Sequence, residues 1–159
     1  MPPEPSLIIS EDSREQKYLD FNRFKHVLWQ QIDCLPVGDY MAIINGGSPS
    51  FVYFERKSIS DLWGTMASKN YERFKREFNK SLELGIKLVL IIEGTISEVN
   101  KGFSYNGRRS KFLGSSMTKK LETLRVKHGL EVVYCDGRTD MKRYIYERWL
   151  AEARLELKK

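Results

Sequence analysis

Apolar positions along this chain fall into short runs separated by polar or glycine-rich stretches, and the spacing within each run predicts its element. Leu7-Ile8-Ile9 ends in a polar cluster and predicts a buried strand that delivers Asp12, Arg14 and Glu15 to a loop. Residues 27–32 read as a strand, although HVLWQQID is short enough to fit a helix as well. Residues 37–45 and 51–57 are rich in β-formers and flank the turn cluster Gly46-Gly47-Ser48-Pro49, which predicts a hairpin. A short helix follows over 58–67, with Ser58 or Ser60 as N-cap, and a second runs from Asn70 to about Leu84, where Gly85 stops it. In that second helix Tyr71, Phe74, Phe78 and Leu82 form one apolar stripe, with Arg73, Lys75, Arg76 and Lys80 off it. Residues 86–92 have the continuous apolar character of a strand buried on both faces, and 131–134 are a shorter case. A helical pattern over 117–127 joins those two strands, and a last helix covers 139–157. The alternation of strands and helices predicts an α/β fold, a mixed sheet with helices on both faces.

The length of 159 residues suits one domain with one core, supplied by 41% hydrophobic and 12% aromatic residues. Leu88 to Ile92, the longest purely apolar run, is far short of the ~20 residues of a membrane helix. The start MPPEPSLIIS has neither the basic opening nor the apolar stretch of a signal peptide. The expectation is a cytoplasmic protein with no membrane span. Cys34 and Cys135 lack CxxC spacing, which excludes a zinc site and a disulfide framework, and both are expected to be small buried residues in a reducing compartment. Net charge is +6, and its distribution is uneven: residues 1–61 carry six basic and nine acidic side chains, while 101–127 carry eight basic and one acidic. Carboxylates for a cation beside Lys and Arg for phosphates fit a metal-using enzyme acting on a polyanion, with a solvated charged loop as the bland alternative.

The hairpin turns this into geometry. With its turn near Gly47 and Ser48, Asp39 lies across from Glu55 or Arg56, at a Cβ separation of about 5 Å. Alternation points Glu55 and Lys57 to one face and Arg56 to the other. Two hard carboxylates that keep several waters suit Mg²⁺ or Mn²⁺, and an ammonium beside them can hold a water and offset growing negative charge.

The segments D12-S-R-E-Q, L35-P-V-G-D-Y40 and E55-R-K-S-I-S-D61-L resemble the nuclease domain of the XPF/Hef endonucleases, a branch of the PD-(D/E)XK superfamily. The pattern GDx(n)ERKx(3)D is matched by Gly38, Asp39, Glu55, Arg56, Lys57 and Asp61, and the likeness extends through YERFKREF, LVLIIEG and the final helix. In look it is nearest to stand-alone bacterial or phage members. The resemblance implies a single restriction-endonuclease-like domain over residues 1–159 without a helix-hairpin-helix module, and a Mg²⁺- or Mn²⁺-dependent endonuclease acting on DNA, including branched or flap structures. It implies Asp39 and Glu55 as metal ligands with the Arg56 carbonyl, Lys57 as the water-orienting partner, and Asp12, Arg56 and Asp61 as support. From the residues alone, Asp61 serves equally as a first-turn helix acid and Arg56 as a salt-bridge partner. The alternatives are a catalytically silent DNA-binding scaffold or partner subunit, and an interaction protein whose carboxylates never meet metal.

Around this centre, Lys69, Arg73, Lys101, Arg108, Arg109 and Lys111 are candidate DNA contacts, the last four in the stretch KGFSYNGRRSK, whose glycines and lack of periodicity predict a mobile loop. In the final helix Met141, Ile145 and Trp149 form one apolar stripe, and Tyr146, Leu150, Ala153 and Leu157 form a second. The first is expected on the sheet and the second on a two-fold mate, making a homodimer through this helix.

Overall fold

The computed structural model describes residues 2–15 and 17–159. Six strands form one sheet: β1 (Leu7–Asp12), β2 (Val27–Ile32), β3 (Tyr40–Ile44), β4 (Val52–Ser58), β5 (Lys87–Glu93) and β8 (Glu131–Cys135), in the order β2-β1-β3-β4-β5-β8. Only β3 runs against its neighbours; β1 pairs parallel with β2, and β4, β5 and β8 are mutually parallel. The helices are α1 (Ile59–Met66), α2 (Tyr71–Glu83), α3 (Ile96–Asn100), α4 (Gly114–His128) and α5 (Gly137–Leu157), with a small separate hairpin of β6 (Ser104–Tyr105) and β7 (Arg108–Arg109). No helix is long and apolar enough to cross a membrane among the described residues.

The expected β3–β4 hairpin is present, and its register explains why the site geometry survives an error in the turn. The tight turn is at Asn45-Gly46, both at positive φ, rather than at Gly47-Ser48. Near it Ile43 faces Pro49, whereas Tyr40 faces Phe54. The second strand therefore spends two more residues than the first between these pairs, and Phe51 bulges out, 74% exposed. Past the bulge Asp39 comes level with Glu55, as the simpler turn predicts.

The sheet separates two cores. Leu88, Leu90 and Ile92 of β5 face α1, α2 and α4, packing with Leu62, Trp63, Met66, Phe74, Phe78 and Leu121. Val89 and Ile91 face α5, packing with Phe54, Met141, Ile145 and Trp149. Ser58 caps α1 by accepting the Asp61 amide at 3.1 Å. Asn70 precedes α2, but its side chain caps nothing and donates instead to the Gly64 carbonyl. At the far end of α2, Leu82 leaves the predicted stripe for solvent and Ser81 is buried in its place. Helix α3, absent from the sequence reading, is nucleated by a capping box between Thr95 and Glu98. Cys135 is buried as expected; Cys34 is exposed, because its loop runs over the surface.

The second stripe of α5 corrects the dimer argument. Leu150 and Ala153 are buried within the single chain, in one cluster with Leu19 and Phe21 from the segment before β2. Tyr146 stacks on Phe24, with ring centres 4.6 Å apart, and donates its hydroxyl to the Lys25 carbonyl at 2.9 Å. The face assigned to a two-fold mate is thus filled by the chain's own irregular segment. Leu150→Glu is expected to destabilise the fold by more than about 3 kcal/mol, a drop of roughly 6–12 °C in Tm, because it buries an unpaired carboxylate. Thermal denaturation followed by circular dichroism measures this, and a well-folded variant with the wild-type midpoint would contradict the packing.

Candidate active site

Strand β4 carries Tyr53, Glu55 and Lys57 toward the α1/α2 side and Phe54 and Arg56 toward α5, as alternation requires. Asp39 is delivered to the same end of the sheet by the turn entering β3. There Gly38 adopts φ +71, and a Cβ on it would sit 3.0 Å from the Phe54 carbonyl, so glycine is what lets this segment lie against β4. Asp39 is then fixed three ways: its amide donates to the Phe54 carbonyl (2.8 Å), its carbonyl accepts the Asp12 amide (2.8 Å), and its Oδ2 accepts the Arg56 amide (2.8 Å). Lys57 Nζ lies 3.1 Å from Glu55 Oε1. Glu77, from α2, accepts the Gly38 amide at 2.9 Å and lies against the Glu55 carboxylate. These groups open into a cavity of about 800 Å³.

The electrostatics of the floor are strained by design of its burial. Burial comes first in raising the Asp39 carboxyl well above the usual carboxylate range, and the Glu55 charge adds to it. The Glu55 carboxyl is pushed up to about 7, again mainly by burial and further by Glu77, against the pull of Lys57. For Lys57 burial pulls the ammonium down, but Glu55 and Asp39 outweigh it and hold it above its ordinary value. Lys57 is therefore a charged donor, not a base, in this arrangement.

Most of the residues singled out in the sequence meet here: Asp12, Asp39, Glu55, Arg56, Lys57, Asp61 and Arg73 all line the cavity. Their parts differ. Asp12 is a brace: its carboxylate accepts from the Arg14 guanidinium and from the amides of Arg14 and Leu35, and the Arg14 hydrogen bond leads in lowering it to about 2. The Arg56 guanidinium lies on the opposite face of the sheet, bound to Glu15 at 3.0 Å and Glu93 at 3.1 Å, where it ties the loop after β1 to the end of β5. Asp61 sits exposed in the first turn of α1. Lys69, Lys101, Arg108, Arg109 and Lys111 do not line the cavity. Sequence reasoning missed Glu77 as part of the floor, Glu15 and Glu93 as partners of Arg56, and Arg76 and Lys80 as rim cations beside Arg14, Lys17 and Arg73. The signal for the rim was present: Arg73, Arg76, Glu77 and Lys80 are spaced to share one face of α2.

A mixed sheet that gathers two acids and a lysine at the end of one strand, over a hairpin, defines the class as a restriction-endonuclease-like nuclease fold. Within that class the chain belongs to the ERCC4 domain family, whose model matches residues 11–147. Similar solved structures are XPF from Aeropyrum pernix (TM-score 0.60, 18% identity, covering 94% of this chain and 64% of that one) and XPF from Aeropyrum pernix in complex with DNA (TM-score 0.61, 20% identity, 95% and 65%). The chain thus spans about two thirds of the length of these structures. Among curated proteins none matches significantly.

Among the described residues no three His, Cys, Asp or Glu side chains close on one point as a ready metal cage. The donor set is the Asp39–Glu55 pair, and its chemistry fits a hard divalent cation: a buried and a half-buried carboxylate that repel each other need either a proton or a cation between them. A pH dependence follows. Because the folded-state value of Glu55 is raised from 4.5 to about 7, the folded chain binds the extra proton across that window, and metal-free stability is highest below pH 4.5 as far as this group is concerned, falling as pH rises through 7. Glu11, buried beside Gln31 and also raised to about 7 mainly by burial, acts in the same direction. In chelator, Tm is expected to fall from pH 5 to pH 8, and Glu55→Gln to flatten part of that fall. An unchanged slope in the variant would contradict the burial of a destabilised carboxylate here.

Proposed function

We propose that this protein is a metal-dependent endonuclease that hydrolyses DNA phosphodiester bonds, with Asp39 and Glu55 holding Mg²⁺ or Mn²⁺ and with branched, flap and plain duplex DNA as the candidate substrates. The observation that carries this reading is the meeting of Asp39, Glu55 and Lys57 on the floor of one cavity whose rim is cationic, with Arg14, Lys17, Arg73, Arg76 and Lys80. A polyanion approaching an acidic floor is steered by such a rim and is compatible with the floor only once its carboxylates are neutralised.

When bound, the cation supplies charge opposite a phosphoryl oxygen and lowers the pKa of a water. The chain's own residues do the rest. Asp39 and Glu55 would fix the position of that charge, and the amide of Arg56 engages one Asp39 oxygen and leaves the other without a hydrogen-bond donor among the described residues. The Lys57 ammonium donates to the attacking water and opposes charge building on the phosphate. Arg73 and Arg76, on one face of α2, carry the flanking phosphates. The Arg56 carbonyl and Asp61 belong to the same reading as a further cation ligand and a cavity-facing acid. Self-association belongs to it as well, on a surface other than the filled face of α5; the open edge of β8, with Val132, Val133 and Tyr134 half-buried, is the apolar edge of the sheet.

The test is cleavage of labelled single-stranded, duplex, flap and splayed DNA with Mg²⁺, with Mn²⁺ and with chelator. Cutting is expected with either cation and not with chelator. Glu55→Gln and Asp39→Asn should abolish it while DNA binding stays within about twofold, and Lys57→Met should slow it by about a hundredfold to a thousandfold. Wild-type cutting by the amide variants would overturn the reading, and binding without any cutting by the wild type would favour a silent scaffold. Separately, Arg73→Gln with Arg76→Gln should reduce the slope of log K against log salt by up to ~2, one unit for each lost phosphate contact. An unchanged slope would remove α2 from the DNA path.

A further inference from the structure

Residues 101–113 form an excursion that contains a short hairpin, and two of their three aromatic rings pack at its base. The excursion leaves α3 and returns to α4 at one point, where Gly114 approaches so closely that a Cβ would lie 2.2 Å from the Asn100 carbonyl oxygen. Just above that base, the Phe103 ring packs on Trp63 at 6.0 Å, and the Trp63 indole N–H donates to the Phe112 carbonyl at 2.9 Å. The Ser110 amide donates to the Phe103 carbonyl at 2.8 Å, and the Arg109 guanidinium to the Lys101 carbonyl at 2.7 Å. Lys120 lies 5.5 Å from the Phe112 ring centre and 3.6 Å from that of Tyr71, closing the other side. The tip is a two-residue turn, Asn106-Gly107, both at positive φ, which matches the twist of the paired strands.

One ring is left over, and of the excursion's four cations only the Arg109 side chain is engaged among the described residues. Tyr105 is 70% exposed and has no hydrogen bond or ring partner among the described residues. Arg108 stands directly across from it in the hairpin, and its guanidinium has no ion pair or hydrogen bond among them either. A single exposed aromatic is ordinary on a protein surface; this one stands on a hairpin with Lys101, Arg108, Arg109 and Lys111 around it, in a stretch from 99 to 121 without one acidic residue. Such a surface repels cationic partners and fits a polyanion that also offers flat apolar faces. Duplex DNA hides its base faces in the stack, so the fit is to an unpaired nucleotide. The projection is joined to the cavity through α1: its N-cap Ser58 and its first-turn residues Ser60 and Asp61 line the cavity, and Trp63, about 3–7 Å further along the helix axis, holds the excursion.

We propose that the β6–β7 hairpin is a subsite for an unpaired nucleobase, which stacks on Tyr105 while Arg108 meets its phosphate. This rests on the DNA-nuclease reading and adds to it a residue that distinguishes single-stranded from duplex regions of the substrate. The experiment is fluorescence anisotropy in chelator, so that no cleavage occurs, with a labelled 20-nucleotide dT strand and a 20-base-pair duplex at one salt concentration, oligonucleotide lengths being about the span of one module. Tyr105→Ala should weaken binding of the single strand by about tenfold and of the duplex by less than twofold, and Tyr105→Trp should restore the single strand. Arg108→Gln should weaken both alike. A dT strand carrying 5-iododeoxyuridine should photo-crosslink to Tyr105 in the wild type. Equal losses for both DNAs in Tyr105→Ala, or no loss for either, overturn the subsite and leave the cleavage assay standing; a wild type that binds neither DNA overturns the nuclease reading itself.

Discussion

The Arg56 amide donates to Asp39 Oδ2 at 2.8 Å, and through this bond the strand that carries Glu55 and Lys57 also carries the second acid. Two carboxylates are thereby held in a cavity where burial penalises both charges and each penalises the other. Without a cation, such a pair takes up a proton rather than hold both charges. Much of the local structure serves to hold the two together. Gly38 permits the close approach, the Asp39 backbone is pinned between β1 and β4, and Glu77 holds the Gly38 amide from α2. On the proposed reading, a divalent cation bound between the two carboxylates would remove the penalty that remains.

Behind the floor, on the other face of the sheet, Arg56 stands between Glu15 and Glu93, and Arg138 lies 3.9 Å from Glu93 while donating to the carbonyls of Lys17 and Tyr18. This ion-pair group ties the loop after β1, the end of β5 and the start of α5 into one body. Its geometric consequence is that β4 cannot shift along the sheet without breaking buried charge pairs, which is costly because each leaves an uncompensated ion. One residue of the ERK motif thus supports the floor from behind while its two neighbours face the chemistry.

Much of this was legible in the residues because it depends on local rules. Strand alternation alone separates Glu55 and Lys57 from Arg56, and hairpin pairing alone brings Asp39 level with Glu55, even though the turn lies two residues from its expected place and a bulge at Phe51 restores the register. What was not legible depends on packing between distant segments. Leu19, Phe21 and Phe24 lie in an irregular segment with no period, so nothing marked them as the cover of α5, and the second stripe of that helix read as an outside surface. Glu77 sits among cations on α2, and only the seating of the helix on β4 turns it toward Glu55. The β6–β7 strands are two residues each, too short for alternation to register, although Asn106-Gly107 carried the turn signal.

On the proposed reading, Asp39 and Glu55 form one site that exchanges a proton for a divalent cation. Calorimetric titration of Mn²⁺ into the DNA-free protein at pH 6, in two buffers of different ionisation enthalpy, tests it directly by counting protons released. The account predicts a single binding event that releases close to one proton, since Glu55 with its value near 7 is largely protonated at that pH, and its loss in both Asp39→Asn and Glu55→Gln. Binding of equal strength in either variant, or the absence of any binding by the wild type, would contradict it.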